Sequence, residues 1–349
     1  MHRGLIAGIV VVVVIIGMAI AYRTGSSSPS TLSLTVTVND YVGGITSSAP
    51  QDFVADAEGI FTKHKLRVNF VILEGTSQAV QAVAADRTGR AFVQGDILDE
   101  MLMADKNPSA PPLIGIAGNE PRNPVALIFL QSSGIKSPAD LAGKTIGVPT
   151  GSLSEQYLDI FLQKQGIPKD KVTIQNIGFG ALHPALMQKR VDAVCEFARG
   201  LASLEIVARQ QGQKVGSFLF GDYHMPSPLG AVVVQKSLVD NDPAVAAAIA
   251  GSLNEALHLC VINPEQCIKD FIAKNQGRDY EQTLAEWRVA VKAQYGLDAA
   301  AVRKMRPLQL GWFDPELVAT TLPELKTMFK ISETFDPTTL YTNRFAEHP

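Results

Sequence analysis

A short polar turn, "PTGSLS", joins an apolar strand to an amphipathic helix in the middle of this sequence. The start of such a helix presents free backbone N–H groups and the positive end of the helix dipole. The turn is therefore a candidate site for a hydrogen-bond acceptor or partial negative charge on a small ligand. Ser152 and Glu155 also have the spacing of a capping box, so Ser152 has the alternative role of capping its own helix. The candidate residues of the turn are Thr150, Gly151, Ser152 and Ser154.

Polar and aromatic residues also follow the other strands that the sequence predicts. Carboxylates accept hydrogen bonds from ring N–H and amino groups, and aromatic side chains stack on planar rings. An anion site would need an excess of Arg, Lys and N–H donors, so this set favours a neutral or weakly basic planar heterocycle such as a pyrimidine. The alternative is that several of these carboxylates cap helices or pair with arginines. These ligand-binding candidates are Asn39, Asp40, Tyr41, Glu74, Thr76, Gln94, Asp96, Phe179, Glu196, Arg199, Asp222 and Tyr223.

Nothing in the sequence has the spacing of catalytic or metal-binding residues. The six histidines form no H-E-x-x-H pair, no G-x-S-x-G is present, and no Cys or His cluster has metal-ligand spacing. The net charge is −3 and no long basic run occurs, so nucleic-acid binding is not indicated. We therefore expect a binding protein rather than an enzyme, with no cofactor and no metal.

The elements that must position these residues alternate between strand and helix. Two α/β modules of similar size are predicted, joined by extended segments at 124–131 and 229–235, and the chain is mostly helical after residue 242. Ligands in such sheets bind beyond the carboxyl ends of the strands. We expect a hinged cleft between lobe 1, residues 32–131 and 229–349, and lobe 2, residues 132–228. The fold class is α/β, with two lobes based on parallel sheets.

The first 25 residues differ from the rest. A basic start precedes an unbroken apolar stretch of 18 residues, 4–21, which ends in an A-x-A sequence, and a polar linker follows at 26–31. This pattern predicts a cleaved signal peptide, with an uncleaved membrane anchor as the alternative. Both interpretations place the remainder in the periplasm or elsewhere outside the cytoplasm.

Two cysteines, Cys260 and Cys267, lie close together in the segment "CVINPEQC". The short loop between them allows a disulfide in an oxidising compartment, and two buried thiols are the alternative. The third cysteine, Cys195, is then an unpaired core residue of a strand.

The sequence resembles the extracytoplasmic solute-binding proteins of ABC importers. The similar segments are "DAEGIFTKHKLRVNFVILEGTSQAV", "SGIKSPADLAGKTIGVPTGS", "GALHPALMQKRVDAV" and the end "LGWFDPELVATTL…YTNRF". The resemblance covers about residues 33–346 and is to the group that handles nitrate, sulfonates, taurine and thiamine pyrimidine precursors. It implies a type II periplasmic-binding-protein fold, a ligand enclosed between two lobes, a monomer, and delivery to a permease with its ATPase. A sulfonate or nitrate binder, a tethered ligand sensor and an enzyme of thiamine pyrimidine synthesis remain alternatives.

The sequence departs from the group at informative positions. Arg90 stands where members usually carry an acidic residue, and Asn39-Asp40-Tyr41 replaces a first-strand loop that often contains Trp. A related cytoplasmic branch makes the thiamine pyrimidine with a cysteine cluster and iron. This chain has no such cluster and has an export-like segment, which argues against that activity.

Overall fold

The computed structural model describes residues 32–149, 152–332, 336 and 339–349. The predicted signal or anchor, the linker at 26–31, Thr150 and Gly151 lie outside the described residues. Nothing is described of the Phe179 side chain, although its backbone begins a helix.

Strands and helices alternate through the first two thirds of the chain, as the sequence predicts. The strands are β1 (Val36–Val42), β2 (Leu66–Ile72), β3 (Ala91–Asp96), β4 (Leu113–Glu120), β5 (Val125–Leu130), β6 (Thr145–Val148), β7 (Thr173–Asn176), β8 (Ala193–Phe197), β9 (Val215–Leu219) and β10 (Gly230–Gln235). The first helices are α1 (Gln51–Ala57), α2 (Ile60–Lys63), α3 (Thr76–Ala85), α4 (Ile97–Lys106), α5 (Leu153–Lys164), α6 (Phe179–Met187) and α7 (Gly200–Gln210). The helical final third contains α8 (Lys236–Asn241), α9 (Pro243–Ile262), α10 (Pro264–Lys274), α11 (Tyr280–Ala293), α12 (Ala299–Val302) and α13 (Pro315–Met328).

The strands form two five-stranded sheets. The first has the order β2-β1-β3-β10-β4 and the second the order β7-β6-β8-β5-β9. Most neighbouring strands that belong to βαβ units are parallel, but β10 runs antiparallel to β3 and β4, and β5 runs antiparallel to β8 and β9. The sheets are therefore mixed: each is built on parallel strands, as the sequence predicts, and contains one antiparallel crossing strand.

The two antiparallel strands are the segments that cross between the modules. Every residue of β5 and of β10 is buried, as in a central strand covered by helices on both faces. Because β5 is hydrogen-bonded within the second sheet, the chain crosses between the lobes before Val125, at the start of the predicted crossing segment 124–131. We use lobe 1 for the first sheet with its helices, and lobe 2 for the second sheet with its helices.

Two helices of the final third contact both lobes. Val318, Leu322 and Leu325 of α13 share a core with Leu158 and Phe161 of lobe 2 and with residues of α3 and α4 in lobe 1. Helix α11 packs against α7 of lobe 2 and α10 of lobe 1. The lobes therefore pack against each other at several places besides the crossing strands.

Among the described residues, α9 is long and apolar enough to cross a bilayer. However, 72% of its most apolar window is buried inside the protein. It packs in the core of lobe 1 beside Phe61 and Phe92, so it is a core helix here.

A disulfide joins the end of α9 to the start of α10. Cys260 and Cys267 are bonded, with their Cα atoms 4.9 Å apart, and Cys195 is a buried free thiol.

We expect free-thiol titration of unreduced, denatured protein from the periplasm to find one thiol per chain, that of Cys195. Three thiols would contradict the pairing. The closed loop is short, so we expect its loss to cost only on the order of 2 kcal/mol and to leave ligand binding intact.

Candidate functional site

A buried polar network lies at the carboxyl ends of the strands of lobe 1. The amide of Gln94, on β3, donates to Asp52 Oδ2 at 2.5 Å, and the amide of Gln51 donates to Gln94 Oε1. Gln51 also donates to Tyr295 Oη at 3.1 Å, and that hydroxyl donates to the carbonyl oxygen of Ser48 at 2.8 Å. The start of α1 is thereby connected to the end of β3 and to the segment after α11.

Several acceptor atoms of this network have no partner within the described residues. They are both carboxylate oxygens of Asp40, Oε1 of Gln51 and Oδ1 of Asp52. Asp40 is fully buried and Asp52 is 3% exposed. Buried polar atoms almost always have a hydrogen-bond partner, so this group of acceptors is suited to a ligand that brings N–H or O–H donors.

Burial also perturbs the ionisation of these acids. It raises the pKa of Asp40 well above its ordinary value, and the nearby Asp52 carboxylate raises it further. Burial raises the pKa of Asp52 to about 7, against the lowering effect of the Gln94 amide. The two carboxyls therefore hold a proton near neutral pH unless a ligand donor replaces it.

Glu120, at the end of β4, extends the network towards the crossing strands. Burial raises the pKa of Glu120 to about 7, although the nearby side chains of Gln294 and Tyr295 lower it. A cavity of about 120 Å³ lies beside these residues. Its lining is mostly apolar and includes Glu120, Tyr295, Leu229, Met305, Trp312 and Phe313.

Lobe 2 contributes a paired carboxylate and a half-buried arginine. Glu196, on β8, is 2.6 Å from Nε2 of His183 on α6, and its carboxylate packs against Gly200. The guanidinium of Arg199 lies over the ring of Phe197, 5.4 Å from its centroid. Burial lowers the pKa of Arg199, while the carboxylates of Glu196 and Glu286 raise it.

Two predicted site residues, Asn39 and Tyr41, bind a protein side chain. Both donate to Oδ2 of Asp86 at 2.9 Å. These bonds, with those from Thr88, lower the pKa of Asp86 despite its burial. Because side chains alternate along a strand, Asn39 and Tyr41 lie on the face of β1 opposite to Asp40. The structure therefore does not bring them together with the unpartnered acceptors.

Three further candidates lie along the rim of lobe 1. Glu74 is exposed, and Thr76 begins α3. The backbone of Thr76 lies close to Gly43. A Cβ atom added to Gly43 would come within 2.7 Å of the Cα atom of Thr76. Asp96 accepts a hydrogen bond from the backbone N–H of Asp99 at 2.7 Å and caps α4. Helix capping is the alternative role that the sequence allows for the candidate carboxylates.

In lobe 2, Asp222 and Tyr223 also have protein partners. Asp222 is exposed and pairs with Arg122 at 2.8 Å. Tyr223 packs edge-on against the rings of Phe161 and Phe218. The ring of Tyr223 therefore already contacts two aromatic rings of lobe 2.

The start of α5 has the capping interaction that the sequence predicts for Ser152. Its hydroxyl accepts from the backbone N–H of Glu155 at 3.2 Å and donates to the carbonyl oxygen of Pro149 at 2.7 Å. Ser154 is buried. Among the described residues, no group of three or more His, Cys, Asp and Glu is arranged to hold a metal ion.

Four residues of the network are absent from the candidates that the sequence indicates, namely Gln51, Asp52, Glu120 and Tyr295, and so is His183, the partner of Glu196 in lobe 2. Gln51 and Asp52 stand in the first turn of α1, directly after the first-strand loop. That position is the sequence signal that points to them. Nothing local distinguishes Tyr295, which follows α11 and reaches the network through the tertiary fold.

Comparison with known proteins identifies the family. The family described as "NMT1/THI5 like" matches residues 48–267, more than half of the chain and including most of the site. The chain belongs to this family. A binding protein of Brucella abortus is 29% identical over 146 residues, 42% of this chain and 44% of the relative. The chain thus spans under half the length of that relative.

Two relatives of this NMT1/THI5-like protein have more specific names. The riboflavin-binding protein RibY of Chloroflexus aurantiacus is 25% identical over 64% of this chain and 62% of the relative. The formylaminopyrimidine-binding protein of Halalkalibacterium halodurans is 25% identical over 62% of this chain and 63% of the relative.

Solved structures confirm the fold. The periplasmic aliphatic sulphonate-binding protein SsuA of Escherichia coli superposes with a TM-score of 0.63 at 15% identity, covering 88% of this chain and 98% of that protein. A protein of Bordetella bronchiseptica gives a TM-score of 0.63 at 20% identity, covering 88% and 95%. The NMT1/THI5-like chain therefore has the bilobal periplasmic-binding-protein fold.

Proposed function

We propose that this protein is the substrate-binding component of an ABC importer and captures a small planar nitrogen heterocycle, pyrimidine-like, between its lobes. The observation that carries the ligand choice is the set of buried, unpartnered acceptors on Asp40, Gln51 and Asp52. Ring N–H and amino groups supply the donors that these atoms lack. Outside the cytoplasm, the loaded protein then delivers the ligand to a permease, which works together with an ATPase.

Charge argues against an anionic ligand at this end of the cleft. Nitrate and sulfonate present only acceptor oxygens, so they bring no donor to the unpartnered acceptors of Asp40, Gln51 and Asp52. Each of these carboxyls that is ionised would also repel them. The names of two relatives, for riboflavin and formylaminopyrimidine, also favour a nitrogen heterocycle.

Lobe 2 supplies the opposite edge of the proposed site. Thr150, Gly151 and Ser154 at the start of α5 are proposed to donate to a ring nitrogen, carbonyl or hydroxyl. Glu196 is proposed to accept from a ring amino group while His183 holds its other side. Tyr41 and Tyr223 are not part of the proposed site, because both have protein partners.

A sulfonate or nitrate ligand is the second candidate. Arg199 is a half-buried cation over Phe197, near the start of α7, and favours an anion in lobe 2. The fold shared with SsuA is consistent with this candidate, but at 15% identity it supports the fold alone.

A thermal-shift screen tests the ligand class. We expect aminopyrimidines to raise the melting temperature by roughly 5 °C at a hundredfold excess over Kd, because ligand binding stabilises the folded state. The panel should include purines, flavins, sulfonates, nitrate and aromatic acids. Calorimetry of the hit should give about one site per chain, and prolonged incubation should give no product.

Each contrary result has a defined meaning. Stabilisation by sulfonates or nitrate alone would replace the heterocycle by the second candidate. Steady product formation would replace the importer role by an enzymatic one. A gene neighbourhood without a permease and ATPase would favour the tethered sensor.

A further inference from the structure

The carboxylate of Glu286, on α11, joins two serines that are far apart in the sequence. Ser47 Oγ donates to Glu286 Oε2 at 2.5 Å, and Ser203 Oγ donates to Glu286 Oε1. Gln282, one turn earlier, donates to Ser203 Oγ at 3.1 Å and to Glu286 Oε1 at 3.0 Å. Each oxygen of one carboxylate thus holds a different serine.

The two serines belong to different lobes. Ser47 lies in the loop between β1 and α1 of lobe 1, at the end of the buried acceptor network. Ser203 is a buried residue of α7 in lobe 2. Helix α11 packs between them, since Ala293 and Val289 reach the lobe 2 core while Leu284 and Trp287 pack in the core around α10.

The surroundings favour an ionised Glu286. Hydrogen bonds from Ser203, Ser47 and Gln282, together with the Arg199 guanidinium, lower the pKa of Glu286 although burial opposes them. Hydrogen bonds to an ionised acceptor are about twice as strong as neutral ones. Both serine bonds are therefore of the stronger kind.

We propose that Glu286 is a positioning residue that holds the lobes closed, through Ser47 on one side and Ser203 on the other. Separation of the lobes must break at least one of the two bonds, because a single rigid carboxylate cannot follow both serines. The consequence for ligand affinity rests on the proposed function. The consequence for lobe opening does not.

The expected effect on lobe closure is estimated from the loss of one hydrogen bond to a charged group. Loss of such a bond weakens the closed state about tenfold or more. Glu286→Ala removes both bonds. Glu286→Gln keeps one acceptor and adds one donor, so each serine hydroxyl retains a partner without the charge. Ser47→Ala and Ser203→Ala each remove one side.

Small-angle scattering of the ligand-free protein tests the proposal independently of any ligand. We expect Glu286→Ala to increase the radius of gyration, and Glu286→Gln to give a value between those of Glu286→Ala and wild type. Adding Ser47→Ala or Ser203→Ala to Glu286→Ala should cause no further increase. Glu265→Ala is the matched control, because Glu265, on α10, forms an exposed ion pair with Arg288 of α11 at 2.6 Å, so its loss also removes a carboxylate that pairs with α11.

Ligand binding gives the second readout. In Glu286→Ala we expect Kd to rise about tenfold through a faster dissociation rate, with little change in association rate. Unchanged scattering in Glu286→Ala would overturn the proposal, and so would an equal change in Glu265→Ala. If scattering changes as expected and no heterocycle binds wild type, the clamp stands and the proposed ligand fails.

Discussion

Replacing Asp40 by asparagine is expected to stabilise the ligand-free protein at pH 8 while weakening heterocycle binding about thirty- to hundredfold. Both oxygens of Asp40 are buried without a partner among the described residues, next to the Asp52 carboxyl. An asparagine amide cannot ionise, so it removes the cost of placing a second carboxylate beside Asp52, and it can donate to the free Oδ1 of Asp52. Removing this unfavourable ionisation is stabilising in the absence of ligand.

The same substitution harms binding, because it places a donor where the ligand presents donors. A lost hydrogen bond to a charged acceptor accounts for about 2–3 kcal/mol, which is the stated loss of affinity. Thermal unfolding at pH 8 and calorimetry with the ligand from the screen measure the two effects. A gain in stability with unchanged affinity would show that Asp40 is only a strained core residue.

Asp86→Asn provides a matched control. Asp86 is also an aspartate of lobe 1, but it accepts hydrogen bonds from Asn39, Tyr41 and Thr88. Its pKa is lowered, so the folded state stabilises its ionised form. We expect this variant to lose stability at pH 8 and to keep its affinity, the reverse of Asp40→Asn in both respects.

Much of the fold could be predicted from local sequence, because periodicity determines which segments are strands and helices. The alternation of elements, the cap at Ser152 and the positions of the crossing strands all depend on such local patterns. The partners of β5 could not be predicted, because "VALIFL" is apolar throughout and fits a central strand of either sheet. Its hydrogen bonds to β8 and β9 follow only from the tertiary fold.

The site was harder to predict, because a strand-end residue can point to either face of its sheet. Asn39, Asp40 and Tyr41 are consecutive, yet Asp40 joins the acceptor network while its neighbours bind Asp86. The alternation of side chains implies that the three cannot share one face, but not which face is the ligand side. Glu286 and Tyr295 come from the helical final third, where no sequence pattern links them to the cleft.

Ligand affinity is expected to rise about a hundredfold between pH 5 and pH 8 and to level off above pH 7. The pKa of Asp52 is raised by burial to about 7, so only about one molecule in a hundred has this carboxylate ionised at pH 5. Ligand donors bind the ionised form, and at low pH they must displace its proton. The ligand chosen for the measurement should not itself titrate in this range.

The stability of the ligand-free protein should change in the opposite direction. Between the ordinary aspartate pKa and about 7, the folded protein binds more protons at Asp52 than the unfolded chain does. Stability therefore falls as the pH rises through this range, because deprotonation leaves a buried charge beside Asp40. Thermal melts from pH 4 to 8 without ligand measure this trend.

Two variants identify the group responsible for the pH dependence. Asp52→Asn should flatten the affinity profile, because it removes the titrating carboxyl and retains an acceptor towards Gln94. Glu120→Gln should leave the slope in place. The pKa of Glu120 is also about 7, but the side chains of Gln294 and Tyr295 already favour its ionised form. A slope that survives in Asp52→Asn and disappears in Glu120→Gln would move the ligand from the Asp40–Asp52 pair to the cavity beside Glu120.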